Sequence, residues 1–290
     1  MKKILIIFLI FSQTAFSATQ FEKIQSKNLN DLGPQCALQN ESQLADFEQN
    51  YYANDEDFAL NYSEFIQKVK KNGLLERSLF YTPGASSPDH EDTAIRSIVS
   101  WTEHYIQSGR VDKKENCYLN AKEIFSLFYY TGEGYKILNK AIRNNDTDFL
   151  KKLAVIGKHL NSALDKIKPY QGYVKRGQKA SSDNQRNQAF IKQYKVGQIV
   201  TQAGYTSTTI ANAFPGEYQF VIKTKKNCHY IADFSLVEQK DASGYSQMEE
   251  EEVLCKPYTR FKVIAHDVVG EIHQITLEEV VDELIELNRD

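Results

Sequence analysis

The chain has 290 residues, enough for one large domain or two small lobes. Its 35 Lys and Arg stand against 38 Asp and Glu, a formal net charge of −3, which gives no electrostatic reason to expect nucleic acid as a partner. The 4 cysteines have no Cys-x-x-Cys spacing, which excludes the common zinc patterns.

The chain begins with a basic pair, Lys2 and Lys3, followed by an unbroken apolar run from Ile4 to Phe11. That run is too short to cross a bilayer, and Ala15-Phe16-Ser17 has the small-x-small form of a cleavage site. These features predict a signal peptide over residues 1–17, cut after Ser17, and a secreted or periplasmic chain with no membrane span. Removing Lys2 and Lys3 shifts the balance to 33 against 38, net −5. Cys36, Cys117, Cys228 and Cys255 then predict two disulfides with three possible connectivities. Residues 18–54 form an N-terminal extension, and residues 55–290 are expected to be a single domain.

Helical periodicity dominates up to about residue 169. Tyr62–Val69 predicts a helix ended by Asn72-Gly73, and residues 79–91 form a Pro/Gly/Ser loop. A helix capped at Asp92 or Thr93 carries Ile95, Ile98, Val99, Tyr105 and Ile106 and stops at Gly109. Two more run over Leu119–Tyr130 and Gly134–Arg143, broken at Thr131-Gly132. The clearest spans Asp146–Lys166, where Phe149, Leu153, Ile156, Leu160 and Leu164 recur at three- and four-residue steps.

After Pro169 the pattern turns to short strands rich in β-branched and aromatic residues. They are predicted at Tyr170–Arg176, Gln198–Val200, Tyr205–Thr209, Gln219–Thr224, Tyr230–Val237, Val253–Cys255 and Arg260–Val268. The tail, Leu277–Leu287, reads as strand-like or helical, and the spacing of Leu277, Val280, Val281, Leu284 and Leu287 favours a helix. The fold class is α+β, a helical N-terminal lobe (55–169) packed on a mostly antiparallel β core (170–270), with a tail over 271–290. A hairpin of 230–237 with 252–260 would set Cys255 opposite Asp233, which disfavours a Cys228–Cys255 bridge.

Three stretches of the β half carry chemistry. They are Arg176-Gly177 at a strand end, Tyr205-Thr206-Ser207-Thr208-Thr209, and Glu250-Glu251-Glu252-Val253-Leu254. Each alone is a common surface pattern, but their order and spacing are not. Together they resemble the arginine–serine–glutamate class of mono-ADP-ribosyltransferases. That signature is an aromatic residue before Arg-Gly, then aromatic-x-Ser-Thr-Ser, then Glu-x-Glu before Val-Leu. Tyr130–Asn139 is similar to the family's helical lobe, and the resemblance covers roughly residues 55–270. Thr209 stands where the family usually has serine, and Cys255 where an apolar residue is commoner.

The resemblance implies a two-sheet β core and NAD as substrate, with no metal. Cleaving the nicotinamide bond of NAD builds positive charge on the ribose, which a carboxylate stabilises. By resemblance that carboxylate is Glu252, held by Ser207. Alternation along a strand would put Glu250 on the same face, leaving Glu251 toward solvent. In the family the first glutamate handles an acceptor guanidinium, so Glu250 implies arginine as acceptor. Arg176, beside Gly177, would clamp the pyrophosphate with its forked donors. Thr208 and Thr209 would support the strand, Phe214 would stack on the ligand, and Tyr245 would contact the target protein.

The function this implies is ADP-ribose transfer from NAD to an arginine of a target protein by a monomer. Two other readings use the same residues differently: an NAD glycohydrolase, with water as acceptor, and a non-catalytic exported binding protein. His90-Glu91-Asp92 reads as loop, because no His-Glu-x-x-His follows. His229, His266 and His273 are expected to pack or face solvent.

Overall fold

A computed structural model of the chain describes residues 35–52, 55–76, 79, 88–211, 213–236 and 251–281. The signal peptide expectation, Tyr245 and Glu250 lie outside them.

The helical half is built on polar caps and apolar stripes. Helices α1 (Glu41–Tyr52) and α2 (Glu56–Ala59) lead into α3 (Tyr62–Lys71). In α3 the Asn61 side chain accepts from the Glu64 amide while Glu64 accepts from the Asn61 amide, a closed capping box. Helix α4 runs over Pro88–Gln107, so it takes in the last four residues of the loop expected over 79–91, with Pro88 at the helix start where proline is tolerated. Helix α5 (Ala121–Tyr129) opens with the same box from Asn120 and Glu123 and is buried from Lys122 to Tyr129. Helix α6 (Tyr135–Asn144) ends at a left-handed Asn145, and α7 (Thr147–Lys166) starts at Asp146, which accepts from the Phe149 amide at 3.1 Å.

α5 packs against α4 and α7, and Leu153, Ile156, Leu160 and Leu164 of α7 are buried as the periodicity requires. Tyr205, Ile231, Phe234 and Leu254 from the β half join the same core, which seats the helical lobe on the sheet. A fully buried Lys166 donates to Glu123 at 3.0 Å, and Ser162 donates to the other oxygen of that carboxylate at 2.5 Å. Burial of this pair is sustained by its own hydrogen bonds.

The strands are β1 (Gly172–Gln178), β2 (Ile199–Gln202), β3 (Thr206–Thr209), β4 (Tyr218–Thr224), β5 (Cys228–Tyr230), β6 (Glu252–Cys255), β7 (Thr259–Val269) and β8 (Ile272–Glu279). Their order is β2-β7-β8-β4-β1-β3-β6-β5. Five strands, β2 to β1, and three, β3 to β5, meet at one register pair, Lys175 with Thr209. Only β4 and β8 run parallel among the described pairs. A helix absent from the expectations, α8 (Asn184–Gln193), links β1 to β2 and sets Phe190 4.7 Å from the Tyr218 ring. Its sequence, NQRNQAFIKQ, has too few apolar residues to show a helical stripe.

Three expectations are corrected. The predicted tail helix is strand β8 up to Glu279, and 282–290 fall outside the described residues. Leu277 fits both a two-residue and a 3.6-residue period, and pairing along β4 and β7 decides for the strand. The strand expected at Tyr230–Val237 stops at Tyr230, and Ala232–Phe234 form a 3-10 turn. That turn takes up residues a plain hairpin would have paired. Cys228 therefore lies opposite Cys255 and is bonded to it, contrary to the expected register. The second bridge, Cys36–Cys117, ties the N-terminal extension to the helical lobe, where Ala37 also donates to Lys166 O at 2.9 Å. Among the described residues no helix is long and apolar enough to cross a membrane.

Candidate active site

A cavity of about 840 Å³ opens where β1, β3 and β6 meet the helical lobe. Its volume lies within the range of pockets that hold cofactor-sized ligands. Arg176, Gly177, Ser207, Thr208, Thr209, Phe214 and Glu252 all line it.

Glu252 starts β6 opposite Thr209 of β3 and is 4% exposed. Two residues back along β3 from Thr209, the Ser207 hydroxyl donates to Glu252 Oε1 at 2.7 Å. That bond fixes the rotamer of a carboxylate buried at the cavity wall. From β1, Arg176 donates through Nη1 to the Ser207 carbonyl at 2.6 Å. Burial pulls the Arg176 pKa below the ordinary arginine value; Arg143 adds to that, while Tyr130, Tyr194 and Glu252 oppose it. The group stays a cation at any physiological pH.

The hydroxyls that follow serve the strand. Thr208 Oγ1 donates to Val253 O at 2.6 Å, and Thr209 Oγ1 accepts from the Ala211 amide at 2.9 Å. Gly177 is required by close approach: a Cβ there would lie 1.6 Å from the Phe214 carbonyl oxygen. The Phe214 side chain is 57% exposed at the cavity rim.

The structure corrects the expectation for Glu251. It is half-buried, its backbone is left-handed with φ 45°, and it accepts a hydrogen bond from the Tyr230 hydroxyl. The extended pleat that would make residues 250 and 252 share a face begins only at Glu252. His229 is buried in the core with Nδ1 2.7 Å from Ile167 O, while His266 and His273 pair at 2.9 Å on the β7–β8 hairpin.

The helical lobe supplies a wall to which the motif stretches gave no role. A π turn over Tyr130–Gly134 breaks α5 from α6 and turns Tyr130, Glu133, Lys136 and Asn139 toward the cavity. Asn139 donates to Tyr205 O at 3.1 Å, joining this wall to the start of β3. Burial, then the charge of Glu252, pushes the Tyr130 hydroxyl pKa up, so it remains a donor. Arg143 lies one helical turn beyond Asn139 and lines the same cavity. The available signal was the i, i+4 spacing of Tyr135, Asn139 and Arg143 on α6.

Fold and site together define a class. Residues 101–284 match the family described as ADP-ribosyltransferase exoenzyme, and the chain belongs to that family. Among curated proteins, it is 30% identical over 157 residues to Mav of Mycobacterium avium (strain 104), covering 52% of this chain and 17% of Mav. It is 28% identical over 187 residues to Tre1 of Pseudomonas putida (strain GB-1), covering 61% of this chain and 34% of Tre1. Both carry names of arginine ADP-ribosyltransferases, that of Mav a provisional one. The matched part spans about a third of Tre1 and about a sixth of Mav. The type III effector XopAI of Xanthomonas axonopodis pv. citri shares the fold at a TM-score of 0.50 and 14% identity, over 85% of this chain and 96% of that one.

Proposed function

We propose that the chain is an exported mono-ADP-ribosyltransferase that moves ADP-ribose from NAD to an arginine of a target protein. The observation that carries this reading is the Ser207–Glu252 bond beside Arg176 in one cavity. Arg176 and Arg143 offer two guanidinium groups to the pyrophosphate, and Gly177 lets the backbone approach it. The bond from ribose C1′ to the nicotinamide nitrogen breaks, and its electron pair neutralises the nicotinamide cation. Glu252, fixed by Ser207, faces the positive charge that develops at C1′. A guanidinium nitrogen of the acceptor then attacks C1′ and gives its proton to a carboxylate, assigned to Glu250 on the Glu-x-Glu pattern. Tyr245 and Phe214 are assigned to target contact and ligand stacking.

The names of the relatives support arginine as acceptor. Two disulfides fit an oxidising compartment, which supports export after loss of residues 1–17. Residues 55–290 would form the catalytic domain and work as a monomer. The reading is tested by nicotinamide release from NAD with and without agmatine, a small guanidinium acceptor. Acceptor-dependent release that Glu252→Gln and Glu250→Gln both abolish is the expected result. Release indifferent to agmatine and to Glu250→Gln identifies a glycohydrolase, and no release with no NAD binding overturns the enzyme reading.

A further inference from the structure

Strand β2 ends the sheet, with β7 on one side and no strand among the described residues on the other. In an antiparallel ladder, bonded and non-bonded pairs alternate. Gln198 O accepts from the Val263 amide at 2.8 Å, and Gln202 O accepts from the Tyr258 amide at 2.7 Å. The backbone groups of Gln198, Val200 and Gln202 therefore turn to β7, and the amides and carbonyls of Ile199 and Thr201 point away from the sheet. The four residues of β2, Ile-Val-Thr-Gln, include no charge and no proline, the usual guards of a free edge.

The flanks of this edge are apolar and basic. Ten large apolar side chains are exposed among the described residues, and seven of them lie on or beside β2, β7 and β8. Val196 and Ile199 stand at the start of β2, Ile264 lies on β7, and Tyr258 stands at the far end of β2. Tyr258 is 63% exposed in a left-handed backbone, φ 63°, that a bulky residue seldom adopts. Strain held in this way gathers at functional sites. The exposed Lys192, Lys195 and Lys262 make no ion pair among the described residues, and Lys262 lies opposite Ile199. Glu278, the neighbour of Lys262 on β8, is occupied by Lys223 at 3.4 Å and Lys225 at 3.0 Å.

We propose that β2 is a docking edge for a partner protein, which adds to the sheet an extended segment rich in acidic and β-branched residues. Main-chain bonds to Ile199 and Thr201 supply affinity, and the three lysines select a segment of negative charge. Charge also speaks against a second copy of this chain as the occupant. Two β2 edges laid together would set Lys195 and Lys262 of one against those of the other. The edge lies four strands from β1, about 19 Å at ordinary strand spacing, so a docked segment leaves the cavity at Arg176 open. Docking is a binding event and stands apart from the ADP-ribosyltransferase reading.

The test titrates the full chain into a fluorescein-labelled peptide of alternating Glu and Val, about nine residues long, and reads anisotropy. A peptide of alternating Lys and Val is the control. Saturable binding of the Glu-Val peptide alone, weakening as salt rises, is the expected result. Thr201→Pro removes an amide that faces away from β7, and should weaken binding about tenfold or more. Its melting temperature should stay within about 2 °C of native. Lys195→Glu combined with Lys262→Glu leaves the backbone of the edge intact and should weaken binding to a similar degree, which decides the matter where the proline perturbs the strand. No binding of the Glu-Val peptide, equal binding of both peptides, or binding that either folded variant leaves unmoved overturns the docking edge. So does dimerisation that Thr201→Pro abolishes, or binding of phosphatidylserine vesicles in place of the peptide. A chain that binds the peptide but releases no nicotinamide overturns the enzyme reading and leaves the edge standing.

Discussion

The hydroxyl of Ser207 reaches across from β3 to the carboxylate of Glu252 on β6 at 2.7 Å. A hydrogen bond to a charged group contributes about 1.5–3 kcal/mol. Ser207→Ala should therefore lower kcat for nicotinamide release by roughly 10- to 100-fold while leaving the KM for NAD nearly unchanged. Steady-state kinetics on the variant check this; a KM effect alone would mean that Ser207 binds ligand rather than orienting Glu252.

Gly177→Ala should damage ligand binding through the backbone. The added methyl would meet the Phe214 carbonyl at 1.6 Å, and overpacking of this kind costs about 1–3 kcal/mol. The loop at Phe214 must shift. The expected result is a melting temperature lower by a few degrees and a raised KM for NAD, read by thermal unfolding and kinetics. A variant with native values on both counts would show that the loop is free to yield.

The two disulfides differ in the loops they close. Cys36–Cys117 spans 81 residues and Cys228–Cys255 spans 27. Loop-closure entropy puts their contributions at about 4.5 and about 3.5 kcal/mol. Replacing each pair with serine and comparing denaturant midpoints should show the larger loss for Cys36–Cys117. The Cys228–Cys255 variant should lose activity as well, because its bridge lies on the strand that carries Glu252. Denatured, unreduced native protein should titrate no thiols.

Two buried imidazoles set an acid limit. Burial pushes His159, packed edge-on against Phe58 and Phe65, down to about 4. It does the same to His229, also to about 4. The unfolded chain takes up these protons near 6.5, the folded chain only near 4. The unfolded state thus binds more protons between those values, so stability falls as pH drops from 6.5 to 4, by roughly 3 kcal/mol for each residue. Urea unfolding at pH 7 and pH 5 measures the loss. His159→Leu should remove about half of that slope, and an unchanged slope would mean that other groups carry it.

Much of this was legible in the sequence, where local signals and packing agree. The stripe Leu153, Ile156, Leu160 and Leu164 is buried as written, and the capping residue Asp146 caps. Arg176, Ser207 and Glu252 meet because three strands that carry them are neighbours in the sheet. Register was not legible. The Ala232–Phe234 turn is set by Phe234 entering the shared core, and without it the Cys228–Cys255 pairing could not be read. Glu251 misled for a similar reason: alternation holds only in extended backbone, and its left-handed φ answers to contacts from β3 and β5 that lie far off in sequence. Helix α8 stayed hidden because Phe190, which packs on Tyr218, stands among polar residues.

The two parts of the sheet share one register pair, yet the site needs a side chain from each. Arg176 belongs to one part and grips the Ser207 carbonyl of the other at 2.6 Å. It is a rivet across a seam, beside the role proposed for it as a clamp on phosphate. Replacing it would loosen Ser207, and with Ser207 the aim of Glu252. Lost turnover in Arg176→Lys would thus report on the seam as much as on ligand charge. A binding constant for a bare pyrophosphate, set beside the turnover, separates the two.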